Sequence, residues 1–236
     1  MKKTRIAING FGRIGRTFLR AAYREPSFEF VAINDLADAA TLAYLFKYDS
    51  VYGRFKDVVR ATHHTFEIGD LHVKALKEKD PSRLPWKELA IDVVIEASGV
   101  FASYAKVKPH LDAGAKRVVI TAPADNEVTT ALIGVNDDRF ANAGLVTSNA
   151  SCTTNATAPV MAILHEALVI QKATMTTVHS YTATQRLVDG ADSKDLRRGR
   201  AGAVNIVPST KGAAEAVIQA IHDLAGKFDA VTVRVP

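Results

Sequence analysis

Short aliphatic runs alternate with segments of helical period through the first part of the chain. Ile6-Ala7-Ile8 reads as a strand, a glycine-rich turn follows, and Ile14, Phe18, Leu19 and Ala22 then recur at helical spacing between Arg13 and Tyr23. Phe28 to Ile33 is the next strand, ending at Asn34-Asp35, and Ala39 to Lys47 carries a second helix pattern. Phe66 to Ile68 and Leu71 to Val73 flank Gly69-Asp70, which predicts a hairpin with a two-residue turn. The runs Ile91 to Ile95 and Val118 to Ile120 are almost continuously aliphatic, as strands covered on both faces must be. Between them a helix runs from Tyr104 to Ala113 with Gly114 as its stop, although Pro109 threatens to kink or shorten it. Leu145 to Thr147 is the last strand of this series.

From about residue 150 the pattern changes. A helix is expected from Asn155 to Leu168, then a longer Thr-rich strand, Ala173 to Ser180, of the kind an antiparallel sheet with one open face uses. An irregular polar stretch from Asp189 to Gly202 precedes a helix from Ser209 to Leu224 and a strand from Ala230 to Val235. The expected fold is α/β: a Rossmann-type doubly wound parallel sheet over residues 1–150, followed by a smaller α+β region over residues 151–236.

Composition narrows the setting. Hydrophobic residues make up 47% and charged residues 23%, which argues for a globular chain and against disorder. One cysteine excludes an intramolecular disulfide and suits a reducing compartment. The basic start is followed by an apolar stretch that Asn9 and Gly10 interrupt, too short for a signal or a span, so a cytoplasmic protein without a membrane partner is expected. The net charge of +5 is scattered rather than clustered, which favours phosphorylated small molecules and a dinucleotide over nucleic acid.

Gly10-Phe11-Gly12-Arg13-Ile14-Gly15 has G-x-G-x-x-G spacing. Alone that is weak, but it follows a strand, opens a helix, and is answered by Asp35 at the end of the second strand about 20 residues on. Glycines let the backbone approach a pyrophosphate, the helix start stabilises its charge, and Asp35 can accept from ribose hydroxyls while repelling a 2′-phosphate. NAD is therefore favoured over NADP.

Cys152 stands in Ala150-Ser151-Cys152-Thr153-Thr154-Asn155, at a strand-to-helix junction. A lone cysteine is more often a small core residue than a nucleophile. Here polar flanks and a nearby helix start, with its unpaired N–H groups, favour thiolate chemistry instead. A thiolate needs a proton acceptor, and His179, near the end of the Thr-rich strand, is the candidate; spacing alone leaves their proximity open.

Together with Asn9 to Arg16, the cysteine segment, His179-Ser180-Tyr181-Thr182, Asp195 to Arg200 and Arg234-Val235-Pro236 resemble the signatures of phosphorylating glyceraldehyde-3-phosphate dehydrogenases, along the whole chain. The resemblance implies that Cys152 attacks the aldehyde of glyceraldehyde 3-phosphate, that His179 is its base, and that a thioester is cleaved by inorganic phosphate. It implies cofactor contacts at Gly10, Gly12, Arg13, Ile14 and Asp35, and further ones at Lys79, Ser98, Gly99, Phe101 and Thr121. Substrate and phosphate would be held by Ser151, Thr153, Thr182 and Arg234, by Arg197 or Arg198, and by the segment containing Lys211 and Gly212. The family's assembly is a homotetramer, and no metal is implied.

Lys211 departs from the family's usual threonine, and Gly190-Ala191 replaces a bulkier Leu-Pro pair, which leaves some tolerance of NADP open. The resemblance also implies that about the last hundred residues of the family's length are absent, consistent with ordinary two-domain sizes, so a fragment with an incomplete α+β catalytic domain over residues 151–236 is expected. The competing readings are a sister enzyme that oxidises erythrose 4-phosphate and a non-catalytic nucleotide- or RNA-binding module.

Overall fold

In the computed structural model, residues 2–193, 195–209 and 212–236 are described, Ala213 by its backbone alone. The chain divides into two compact units, residues 1–130 with 139–150, and residues 131–138 with 151–236.

The first unit is built on a nine-stranded sheet. In chain order its elements are β1 (Thr4–Asn9), α1 (Arg13–Ala22), β2 (Phe28–Asn34), α2 (Ala39–Lys47), the small hairpin β3 (Tyr48–Asp49) and β4 (Gly53–Arg54), β5 (Val59–Ala61), β6 (Thr65–Ile68) and β7 (Leu71–Leu76). Then come β8 (Val93–Glu96), α3 (Tyr104–Asp112), β9 (Arg117–Ile120), β10 (Thr129–Thr130), α4 (Asp138–Ala141) and β11 (Val146–Ser148). The sheet order is β10-β11-β9-β8-β1-β2-β7-β6-β5. Every pair from β10 to β7 is parallel, and β5, β6 and β7 add an antiparallel edge through the two-residue turn at Gly69-Asp70.

Both faces of this sheet are buried, which explains the aliphatic runs. Ile6 and Ile8 face one core with Leu19, Phe30, Phe46 and Phe66, while Ala7 faces the other with Trp86, Val94, Val107 and Ile120. The predicted strand at Ile91 begins two residues later, at Val93, because Ile91 N–H is engaged by Trp86 O in a turn. Pro109 is held inside α3 near its end, and the helix stops before Gly114.

In the second unit, α5 (Cys152–Leu168) starts earlier than the expected Asn155. It is followed by β12 (Ala173–Ser180), β13 (Val207–Ser209), α6 (Gly212–Ala220) and β14 (Phe228–Val235), with the sheet order β12-β14-β13. Among the described residues the Thr-rich strand β12 has no antiparallel neighbour: it runs parallel to β14, from Ala173↔Phe228 to Ser180↔Val235. A long connection carrying α6 returns the chain to the starting end, as parallel neighbours require. Only β13 is antiparallel to β14, and as an edge strand it tolerates Pro208. That strand takes Ser209, so α6 is shorter than expected and a 3-10 turn at His222–Leu224 replaces its end.

Candidate active site

A cleft where a cofactor could be held follows from the order of strands. The chain runs from β1 outward to β2 on one side and later to β8 on the other, so a crevice opens at the carboxyl ends of β1 and β8. There a cleft of about 730 Å³ is lined by the strand ends Asn9-Gly10, Asn34-Asp35 and Ala97-Ser98, by Gly12, Glu78 and Lys79, and by Phe101.

The loop that forms its floor is anchored by Phe11. That ring is fully buried, packed edge-on to Phe66 at 5.2 Å and stacked with Phe46 at 5.9 Å between centroids. The flanking glycines answer separate needs. Gly10 has φ +87°, and a Cβ there would stand 2.4 Å from the Ser98 backbone. At Gly12 no atom lies within 4 Å of a Cβ position, so bare backbone faces the open cleft at the start of α1. No side chain among the described residues caps that helix. Unpaired N–H groups beside a concave, Cβ-free surface suit a pyrophosphate.

Asp35 accepts from Phe11 N at 2.7 Å and Ala37 N at 3.0 Å, which orients the carboxylate and leaves lone pairs for hydroxyl donors. Gly10, Gly12, Asp35, Lys79, Ser98 and Phe101 thus share the cleft, whereas Arg13, Ile14, Gly99 and Thr121 are not among its lining residues. The Arg13 side chain pairs with Asp49, and the Thr121 hydroxyl donates to Glu96 O at 3.1 Å. Asn9, Asn34 and Glu78, which sequence reasoning did not assign to a site, do line the cleft. Asn9 and Asn34 are polar residues ending aliphatic strands, and Asn9 also opens the Asn9-to-Arg16 segment; Glu78, two residues beyond β7, gave no signal.

The second unit brings Cys152 and His179 together. Ser151 caps α5, its Oγ accepting from Thr154 N at 3.1 Å, which makes exposed Cys152 the first residue of the helix. Its Sγ lies 3.4 Å from His179 Nε2. His179 Nδ1 is 2.7 Å from Ser180 O; a carbonyl can only accept, so Nδ1 carries the proton and Nε2 presents its lone pair to the sulfur.

Arg234 stands in register with His179 across β12 and β14. One of its terminal nitrogens donates to Ser180 O at 3.3 Å, and its buried Nε has no partner among the described residues. The hydroxyl of Thr182 is 3.0 Å from that of Thr184 and 3.3 Å from Gln185 Oε1. Arg197 is committed to Asp195 through Nε at 2.9 Å and a terminal nitrogen at 2.8 Å, a pair that holds the Asp195 carboxyl below its usual pKa. Arg198 makes no side-chain hydrogen bond or ion pair among the described residues. Thr153 follows the cysteine in α5, Gly212 begins α6, and Lys211 lies outside the described residues. No group of His, Cys, Asp and Glu able to hold a metal ion is found among the described residues.

Comparison with known proteins agrees in both halves. Residues 4–104 match the model of the glyceraldehyde 3-phosphate dehydrogenase NAD binding domain, and residues 151–236 match that of the C-terminal domain. Glyceraldehyde-3-phosphate dehydrogenase 1 of Streptomyces avermitilis is 50% identical over 98% of this chain and 70% of its own length. The Geobacillus stearothermophilus enzyme is 48% identical over 98% of this chain and 69% of its own. That of Thermotoga maritima is 52% identical over 90% and 64%.

Proposed function

Because this chain belongs to the glyceraldehyde-3-phosphate dehydrogenase family, we propose that Cys152 is its nucleophile and His179 the base that serves it. The protein is an NAD-dependent oxidoreductase of glycolysis that oxidises glyceraldehyde 3-phosphate with uptake of phosphate. The observation that carries the assignment of roles is the 3.4 Å approach of Cys152 Sγ to an imidazole nitrogen whose opposite nitrogen is tied to a carbonyl.

The sulfur attacks the aldehyde carbon, and its proton passes to His179 Nε2 and from there to the carbonyl oxygen, which becomes the hydroxyl of a thiohemiacetal and leaves the imidazole neutral again. Cys152 lies at the N1 position of α5, where backbone N–H groups can stabilise oxyanion character. Bound NAD supplies the hydride acceptor that turns this adduct into a thioester. His179 takes the hydroxyl proton as the carbonyl re-forms. Inorganic phosphate then adds through oxygen to the thioester carbon, the C–S bond breaks, and Cys152 leaves as thiolate with release of an acyl phosphate.

On the cofactor side, Gly10, Gly12 and Asp35 take the pyrophosphate and ribose, with Lys79, Ser98 and Phe101 beside them and Arg13, Ile14, Gly99 and Thr121 in supporting positions. For the anionic groups of substrate and phosphate, Arg234 and Thr182 are assigned, with Ser151, Thr153 and the Lys211-Gly212 segment. The bidentate Asp195 pair supports Arg198, rather than Arg197, as the further cation. The working assembly is a homotetramer in the cytoplasm; no helix among the described residues is long and apolar enough to cross a membrane.

Burst kinetics test the scheme: one equivalent of NADH per chain formed rapidly without phosphate, with turnover resuming on its addition, is expected. A Cys152→Ser protein that keeps the burst would overturn it.

A further inference from the structure

We infer that Glu96 is a positioning residue for NAD, holding the cofactor cleft in shape from beneath through a buried network that ends at Trp86. This rests on the cleft being the NAD site. Glu96 is 2% exposed, and His110 and Trp86 are fully buried. Donors converge on the carboxylate from both sides. Oε1 accepts from Ser98 N at 2.8 Å and from the Ser98 hydroxyl, while Oε2 accepts from Asn9 Nδ2 at 2.6 Å and lies 3.1 Å from His110 Nε2.

The direction of each bond follows from its end. An indole nitrogen can only donate, and Trp86 Nε1 is 2.9 Å from His110 Nδ1. Nδ1 is therefore the acceptor, and the imidazole proton sits on Nε2, pointing at Glu96. The network continues the other way. Asn9 Oδ1 accepts from Asn34 Nδ2 at 2.7 Å, and Asn34 both donates to Glu78 O and accepts from Glu78 N, each at 2.8 Å.

One carboxylate thus ties together the ends of β1, β2 and β8 and the Glu78 segment after β7, and each of these contributes lining to the cleft. Asn9 precedes the glycine loop, Asn34 precedes the ribose carboxylate Asp35, and Ser98 abuts Gly10. Glu96, His110 and Trp86 themselves line no part of it. Glutamine at position 96 would offer a single acceptor oxygen and turn N–H groups toward groups that already donate. A buried network left partly unsatisfied relaxes at its weakest members, here the strand-end loops.

The test is calorimetric titration of NAD into the whole protein and its variants, with KM for NAD and kcat measured alongside. Glu96→Gln is expected to raise Kd and KM for NAD roughly tenfold or more with kcat changed less than about threefold. His110→Gln can still accept from Trp86 and donate to Glu96, and is expected to bind NAD within about threefold of wild type. His110→Leu can do neither and is expected to lose about tenfold. The indole N–H resonance of Trp86, the chain's single tryptophan, reports that the bond is kept in one and broken in the other.

A residue that only stabilises the fold would lower Tm and leave these affinities unmoved. Folded Glu96→Gln, or His110→Leu with its indole bond broken, binding NAD as wild type does would overturn the inference. Should Glu96→Gln fail to fold, the His110 pair decides. Failure of the wild type to bind NAD would instead remove the cofactor reading itself.

Discussion

His179 and Arg234 meet at one atom: the imidazole Nδ1 and a guanidinium nitrogen both engage Ser180 O, at 2.7 and 3.3 Å, from register-paired positions on β12 and β14. The shared carbonyl fixes which imidazole nitrogen faces the sulfur and ties the proposed base to the proposed anion-binding cation. His179→Asn is expected to slow turnover by about 10²–10⁴-fold, the usual loss when a general base is removed. Alkylation of Cys152 by iodoacetamide at neutral pH should slow with it. Unchanged alkylation would break the proposed pairing.

Adjacent arginines in the 195–200 segment are expected to differ sharply. Arg197 spends its guanidinium on Asp195, whereas Arg198 does not. Arg198→Ala should raise KM for glyceraldehyde 3-phosphate or for phosphate roughly 10- to 100-fold, the scale of one charge-assisted contact. Arg197→Ala should change either by less than about threefold, since an exposed ion pair contributes little. Steady-state kinetics with each substrate varied distinguish them, and equal losses would remove the assignment.

The glycine loop yields a contrast between fold and affinity. Gly10→Ala forces a side chain into a left-handed conformation against the Ser98 backbone, at a cost of about 2 kcal/mol or more. Gly12 has φ −71° and free space around it, so Gly12→Ala should leave stability within about 0.5 kcal/mol. The added methyl nonetheless enters the cleft where backbone must meet the pyrophosphate, and NAD affinity should drop about tenfold. Urea melts paired with NAD titration check both, and a Gly12→Ala protein that binds NAD normally would move the pyrophosphate elsewhere.

Much of this was legible in the chain because each signal had a single physical cause. Aliphatic runs such as Val93 to Ile95, bounded by turns, suit strands covered on both faces, and the glycine spacing gained meaning from its place between a strand and a helix. The direction of β12 was not legible: alternation reports which face a residue occupies, not which way a neighbour runs. Asn9, Asn34 and Glu96 read as polar strand ends, since their meaning lies in one another across the sheet. Arg197 and Arg198 are identical to sequence reasoning, and only the reach of Asp195 separates them.

A last expectation concerns acid. The Asp49 side chain is covered although the residue as a whole is half-buried, and burial by itself would raise its pKa. That effect is overridden by the N–H groups of Tyr52 and Val51 and by the guanidinium of Arg13, which together bring it down to about 2. A carboxyl whose folded value is depressed stabilises the protein above its unfolded value, near 4, and that stability is lost as pH falls through about 2. Asp49→Asn should therefore cost on the order of 1–2 kcal/mol at pH 7, discounted because Arg13 is half exposed, and the gap to wild type should close between pH 4 and 2. Because Arg13 is the first residue of α1, the variant should also loosen the helix start that serves the pyrophosphate, raising KM for NAD a few-fold. Urea unfolding of both proteins from pH 7 to 2.5 measures the first effect, and a gap that stays constant across that range would show that Asp49 acts through packing rather than charge.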